Sequence, residues 1–145
     1  MSTEKAKSRN KRVVIGVGVF QIMMALSAGA GGIGMVADPS GGNMGFSPDQ
    51  LSGTPFSDYL IPGLFLLLVI GVGHLLGGIV TFTRYRYAGE IAMLLGALLI
   101  LWIVVQVLLI GLVSLLQPAY FLFGVVEILL GRCLRGSMQD KQVKV

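Results

Sequence analysis

Charged side chains in this sequence are grouped, and long uncharged stretches lie between the groups. Val13 to Ala37 carries no charge over 25 residues, and Tyr59 to Thr83 is a second stretch of 25 whose only ionisable groups are Tyr59 and His74. At a rise of ~1.5 Å per residue each makes about 37 Å of helix, enough to cross a hydrocarbon core of ~30 Å with some tilt. Ile91 to Val126 is a third uncharged run. As one helix it would reach about 54 Å, too long for a single crossing, so a break must fall inside it. Ser114-Leu115-Leu116-Gln117-Pro118 supplies one. Proline is tolerated in the first turn of a helix, and the residue before it is pushed out of the helical region. The pattern therefore predicts helices over about 13–37, 59–83, 89–113 and 118–135. The fourth is short, at ~27 Å, which requires Arg132 and Arg135 to snorkel to the membrane surface.

The positions of the charges fix the expected topology. Lys5, Lys7, Arg9, Lys11 and Arg12 precede the first helix, and Arg84 and Arg86 lie between the second and third. Arg132, Arg135, Lys141 and Lys144 end the fourth, completing the 11 basic residues of the chain. The 38–58 segment carries only Asp38, Asp49 and Asp58, and 114–117 carries no charge. Four spans place every basic residue on one side, as the positive-inside rule demands, whereas three would strand the basic C-terminal tail outside. The expected fold class is all-α. It is a four-transmembrane-helix bundle in the inner (plasma) membrane, with both termini cytoplasmic and one long outer loop at 38–58. Basic tails at 1–12 and 136–145 flank a membrane domain at 13–135. The N-terminal charges, the apolar run and Ala28-Gly29-Ala30 also have the form of a secretory signal. The run continues through Gly31–Ala37, past the usual ~7–15 residue signal core, so it reads as a retained helix.

Composition agrees. Of 145 residues 54% are hydrophobic and only 12% charged, about half the charge of a soluble domain. Mean hydropathy is +0.83. One Cys and one His exclude a disulfide framework or a multi-ligand Cys/His metal site, and no cofactor is implied. The net charge of +4 is accounted for by topology and by anionic lipid head groups, with no nucleic-acid partner. Gly29-Ala30-Gly31-Gly32-Ile33-Gly34 matches a dinucleotide fingerprint in letters only, because it closes a membrane helix where the motif needs a preceding strand. Small residues there let helices approach closely. Gly73 and Gly77 form a GxxxG in the second helix, and Gly124 and Gly131 flank Glu127 in the fourth.

Polar groups inside membrane helices carry the chemistry, since each costs free energy unless partnered. There are four: Gln21, His74, Gln106 and Glu127. Gln21, His74 and Glu127 each lie on a stripe of small residues and so face another helix, while Gln106 stands one turn from Trp102. A Gln21–Glu127 or His74–Glu127 hydrogen bond is feasible. Three readings stand for this pair: a buried clasp that fixes helix register, a proton- or cation-coupled site, and contact with a quinone or other lipid-like ligand. A Ser/His/Asp triad fails, with His74 in the membrane and the aspartates outside it. In the outer loop Phe46, Leu51 and Phe56 are placed to tuck against the helix ends, and Asp58 to cap the second helix. Arg84-Tyr85-Arg86-Tyr87 reads as an interfacial anchor, and Cys133 as an ordinary small apolar residue.

The segments Thr54-Pro55-Phe56-Ser57-Asp58-Tyr59-Leu60-Ile61-Pro62-Gly63, Trp102-Ile103-Val104-Val105-Gln106 and Leu116-Gln117-Pro118-Ala119-Tyr120-Phe121 resemble the small uncharacterised four-helix membrane proteins of bacteria. The likeness covers about residues 13–131. In layout the chain is loosely similar to the DoxX-like membrane proteins, whose name suggests respiratory or redox complexes; no motif here carries that role. The expected function is non-enzymatic: helix packing, as a homo-oligomer or as a subunit of a larger membrane complex in the lipid bilayer. The alternative is a small proton-linked transporter or channel component using His74 and Glu127.

Overall fold

A computed structural model describes residues 2–139. It is all-helical, with no strand among the described residues. Helix α1 runs Ser2–Ala37, α2 Leu60–Phe82, α3 Ala88–Ile110 and α4 Leu116–Gln139. Three of them are long and apolar enough to cross a membrane: α1 over Lys7–Ala37, α2 and α3. The fourth carries Glu127, Arg132 and Arg135. Lys141, Lys144 and Asp140 lie outside the described residues.

The helix ends differ from those expected in three places. First, α1 begins at Ser2 and not near residue 13. Lys, Glu, Ala and Arg are good helix formers, Glu4 opposes the dipole in the first turn, and Asn10 Nδ2 donates to the Ser137 carbonyl of α4 at 3.0 Å. Second, α4 continues past residue 135 for the same reason, since Ser137 is part of that contact. Third, α3 stops at Ile110 and not at 113. Gly111 has φ 74° and ψ −173°, a region open essentially to glycine alone. The chain then turns, and Gln117 is helical despite preceding Pro118. Its side chain closes the turn, accepting from Val113 and Ser114 N–H and donating to the Gly111 carbonyl.

The helices run alternately up and down, in two tightly seamed pairs. In the α1–α2 pair, a methyl group added at Gly32 would lie 2.7 Å from the Leu67 backbone nitrogen, and Gly29 and Gly71 face each other. In the α3–α4 pair a methyl on Gly96 would stand 2.6 Å from the Gly124 carbonyl oxygen, and one on Gly131 2.8 Å from that of Gly89. Gly73 and Gly77 both look onto Leu95 of α3, so the second helix meets the third there. Such contacts replace the hydrophobic effect as the cement between helices when the surroundings are themselves apolar. Buried Val14, Val17, Ala92 and Leu134 fill the basic end of the bundle, and Met24, Ile70, Leu99 and Trp102 its middle.

Connection 38–59 folds over the opposite, acidic end. Phe46, Leu51, Phe56 and Tyr59 pack with Met35 and Ile110. Asp38 accepts from the Ser40 hydroxyl and the Asn43 N–H, which holds its carboxyl below the usual range. Tyr59, not Asp58, is the N-cap of α2; Asp58 Oδ1, one residue earlier, accepts from Leu60 N–H at 2.9 Å. Burial of Tyr59 pushes its phenol up, and the hydroxyl donates to the Ser47 carbonyl or Gln50 Oε1, both 3.0 Å away. At the basic end the short 83–87 turn places Arg86 4.4 Å over the Tyr87 ring.

The seams predict a sharp contrast between glycines. Gly96→Ala drives a methyl into backbone and will lower the melting temperature in detergent, at a cost of about 1–3 kcal/mol. Gly16→Ala, with open space around it, will leave stability unchanged or raise it by up to ~1 kcal/mol.

Candidate functional site

Three of the four polar residues singled out within the helices meet. Glu127 of α4 is fully buried, and its two carboxyl oxygens are taken by different helices. Gln21 Nε2 of α1 donates to Oε1 at 3.2 Å, and His74 Nε2 of α2 lies 2.9 Å from Oε2. The Thr81 hydroxyl donates to Gln21 Oε1 at 2.7 Å, which orients the amide. His74, Gln21 and Thr81 have no exposed surface either.

Local backbone explains the aim of His74. Residues Leu66–Val72 form a π-helical stretch inside α2, and the imidazole follows it directly. The Ile70 carbonyl accepts both from Gly73 N–H and from His74 Nδ1, the latter at 2.7 Å. A carbonyl can only accept, so Nδ1 carries a hydrogen. One further proton then lies between His74 Nε2 and Glu127 Oε2. It makes either an imidazolium–carboxylate pair or a neutral imidazole–carboxylic acid pair. Both satisfy the same bonds, and both have zero net charge.

Gln106 does not join this cluster. It lies on the wall of a cavity of about 460 Å³ between the two helix pairs, at the acidic end and beneath connection 38–59. Met24, Ile70, Leu99 and Ile103 line its deep part, and Phe46, Phe56 and Tyr59 its roof. Ile70 separates the deep end from the His74 ring, one helical turn away. Trp102 also lines it, stacked on Phe65 with ring centroids 4.6 Å apart. No lining side chain is charged, among the described residues. Most polar groups on the wall are already engaged. Ser27 pairs with the Tyr120 hydroxyl, Thr54 donates to the Leu51 carbonyl, and Gln117 closes the Gly111 turn. Gln106 is half-buried, and its amide has no partner among the described residues.

Sequence reasoning found the clasp's acid, base and amide but not Thr81, though Thr81 lies on the His74 stripe. It also missed the cavity, which arises where helices diverge and leaves no local mark. No group of three His, Cys, Asp or Glu side chains that could hold a metal occurs among the described residues. Comparison of the chain with family models, curated proteins and solved structures gives no match.

The clasp geometry separates two substitutions of similar size. Glu127→Gln can accept from Gln21 and donate to His74 Nε2, so melting in detergent will shift by less than about 1 kcal/mol in stability. Glu127→Leu strands two buried polar groups and will cost about 3–5 kcal/mol, seen as a large drop in melting temperature or failure to assemble.

Proposed function

We propose that this chain is a non-enzymatic multi-pass membrane protein that holds one small lipophilic molecule in its acidic-end half. The carrying observation is the cavity. Its volume of about 460 Å³ lies within the ~300–1,000 Å³ of ordinary ligand sites, which are likewise mostly apolar with a few placed polar groups. The clasp beneath it is structural in this reading. Glu127 is sealed and both its oxygens are bonded within the chain, which argues against proton-linked transport through His74 and Glu127. The glycine seams are likewise consumed within the chain, so packing at Gly124 and Gly131 serves the bundle and not a partner subunit.

Topology completes the proposal. Four crossings put the described basic side chains at the cytoplasmic surface of the inner membrane, and Asp38, Asp49 and Asp58 at the outer one. Helix α4 then crosses with Glu127 internally paired, which removes most of the cost of a membrane carboxyl. In intact cells Asp49→Cys will react with a membrane-impermeant maleimide, while Cys133 of the parent protein will not. Labelling of Cys133 alone would invert the topology.

Trp102 is the sole tryptophan of the chain and lines the cavity, so its fluorescence reads occupancy directly. In purified protein, bromododecane will quench it saturably at about one molecule per chain. Linear quenching that matches a free tryptophan ester in the same micelles would refute ligand binding.

A further inference from the structure

Resting on that reading, we infer that the ligand is an uncharged lipid bearing a hydroxyl or carbonyl head, and that Gln106 is the residue that recognises the head. The charge of the ligand follows from the wall. Cationic and anionic heads would both enter a site with no charged lining side chain among the described residues, and an unpaired charge in such surroundings is strongly disfavoured. The need for a head follows from Gln106. Its amide offers donors and an acceptor on the cavity wall, and nothing else among the described residues uses them. A wholly hydrocarbon ligand would leave that amide unsatisfied, whereas a hydroxyl or carbonyl would bond it.

A second unmet group lies close by. Trp102 precedes Gln106 by four residues on α3, which sets both on one helix face. Its Nε1–H is buried, in a residue only 9% exposed, and has no acceptor among the described residues. An indole N–H can only donate, so the head must supply an acceptor, as both a hydroxyl and a carbonyl do. The apolar remainder of the ligand then lies toward Met24, Ile70 and Leu99.

The test uses three ligands of one chain length: ω-bromododecanol, bromododecane and ω-bromododecanoate, the last at a pH where it is ionised. Each is titrated against Trp102 fluorescence in the full-length protein and corrected for partition into protein-free micelles. The alcohol is expected to bind on the order of tenfold tighter than bromododecane, the value of one well-made hydrogen bond, and the carboxylate weaker than either. Gln106→Leu is expected to keep the melting temperature of the parent, which certifies its fold, to bind bromododecane at least as tightly, and to lose most of the preference for the alcohol, the Trp102 N–H retaining the rest. Equal binding of alcohol and bromododecane by the parent, or a preference undiminished in Gln106→Leu, overturns the assignment of the head while leaving the cavity reading intact. Carboxylate binding as tight as alcohol overturns the uncharged ligand. Absence of saturable quenching by all three overturns the cavity reading itself.

Discussion

The bundle depends on one carboxyl group. Helices α1 and α2 are joined along glycine contacts, and so are α3 and α4, but the two pairs meet each other with less intimacy. Glu127 bridges them, reaching from α4 to Gln21 on α1 and His74 on α2. In an apolar solvent the alternative to these bonds is a bare polar group in hydrocarbon, so the penalty for separation is large even though the net gain of each bond is modest. A contact of this kind sets register more than it adds stability. The axial and rotational setting of three helices must match for both oxygens to find their partners.

The cavity is the other face of the same arrangement. Glycine seams draw each pair together and the clasp pins the pairs to each other, while toward the acidic end the Ser27–Tyr120 hydrogen bond and the Phe65–Trp102 stack join them around the cavity. Connection 38–59 covers the gap with aromatic side chains, and Gln117 braces the 111–115 turn beside it. Exposed Leu112, Leu115 and Leu116 crown the same end, an apolar rim suited to the interface between head groups and acyl chains.

Hydropathy and charge spacing made the number of helices and their approximate spans legible, because a membrane solvent allows few alternatives. The polar cluster was half legible. Gln21, His74 and Glu127 stood out as costly residues on small-residue stripes, which is a local signal. Their actual pairing depends on a π-helical turn that no propensity scale marks in Leu66-Leu67-Leu68-Val69-Ile70-Gly71-Val72. The stop of α3 was hidden for a different reason. Gly111 sits among many helical glycines, and only its backbone angles distinguish it from Gly96 or Gly124. Ser2 to Arg12 looked like a tail because charge was read as topology, while the Asn10–Ser137 contact that supports a helix there spans nearly the whole chain.

The wide turn in α2 has a consequence for length tolerance. A π-helical stretch carries more residues per turn than the α-helix around it, so it works as a phase shifter between the two ends of α2. Deleting one residue within 66–72 would let the segment relax to an α-helical path with both ends still in phase, whereas an α-helical path that keeps all the residues would rotate everything beyond it by about 100° relative to the Pro62 end. The imidazole would leave Glu127, and Gly78 would turn away from α1, with no change in hydrophobicity at all. For this helix the count of residues is as much a determinant of structure as their identity.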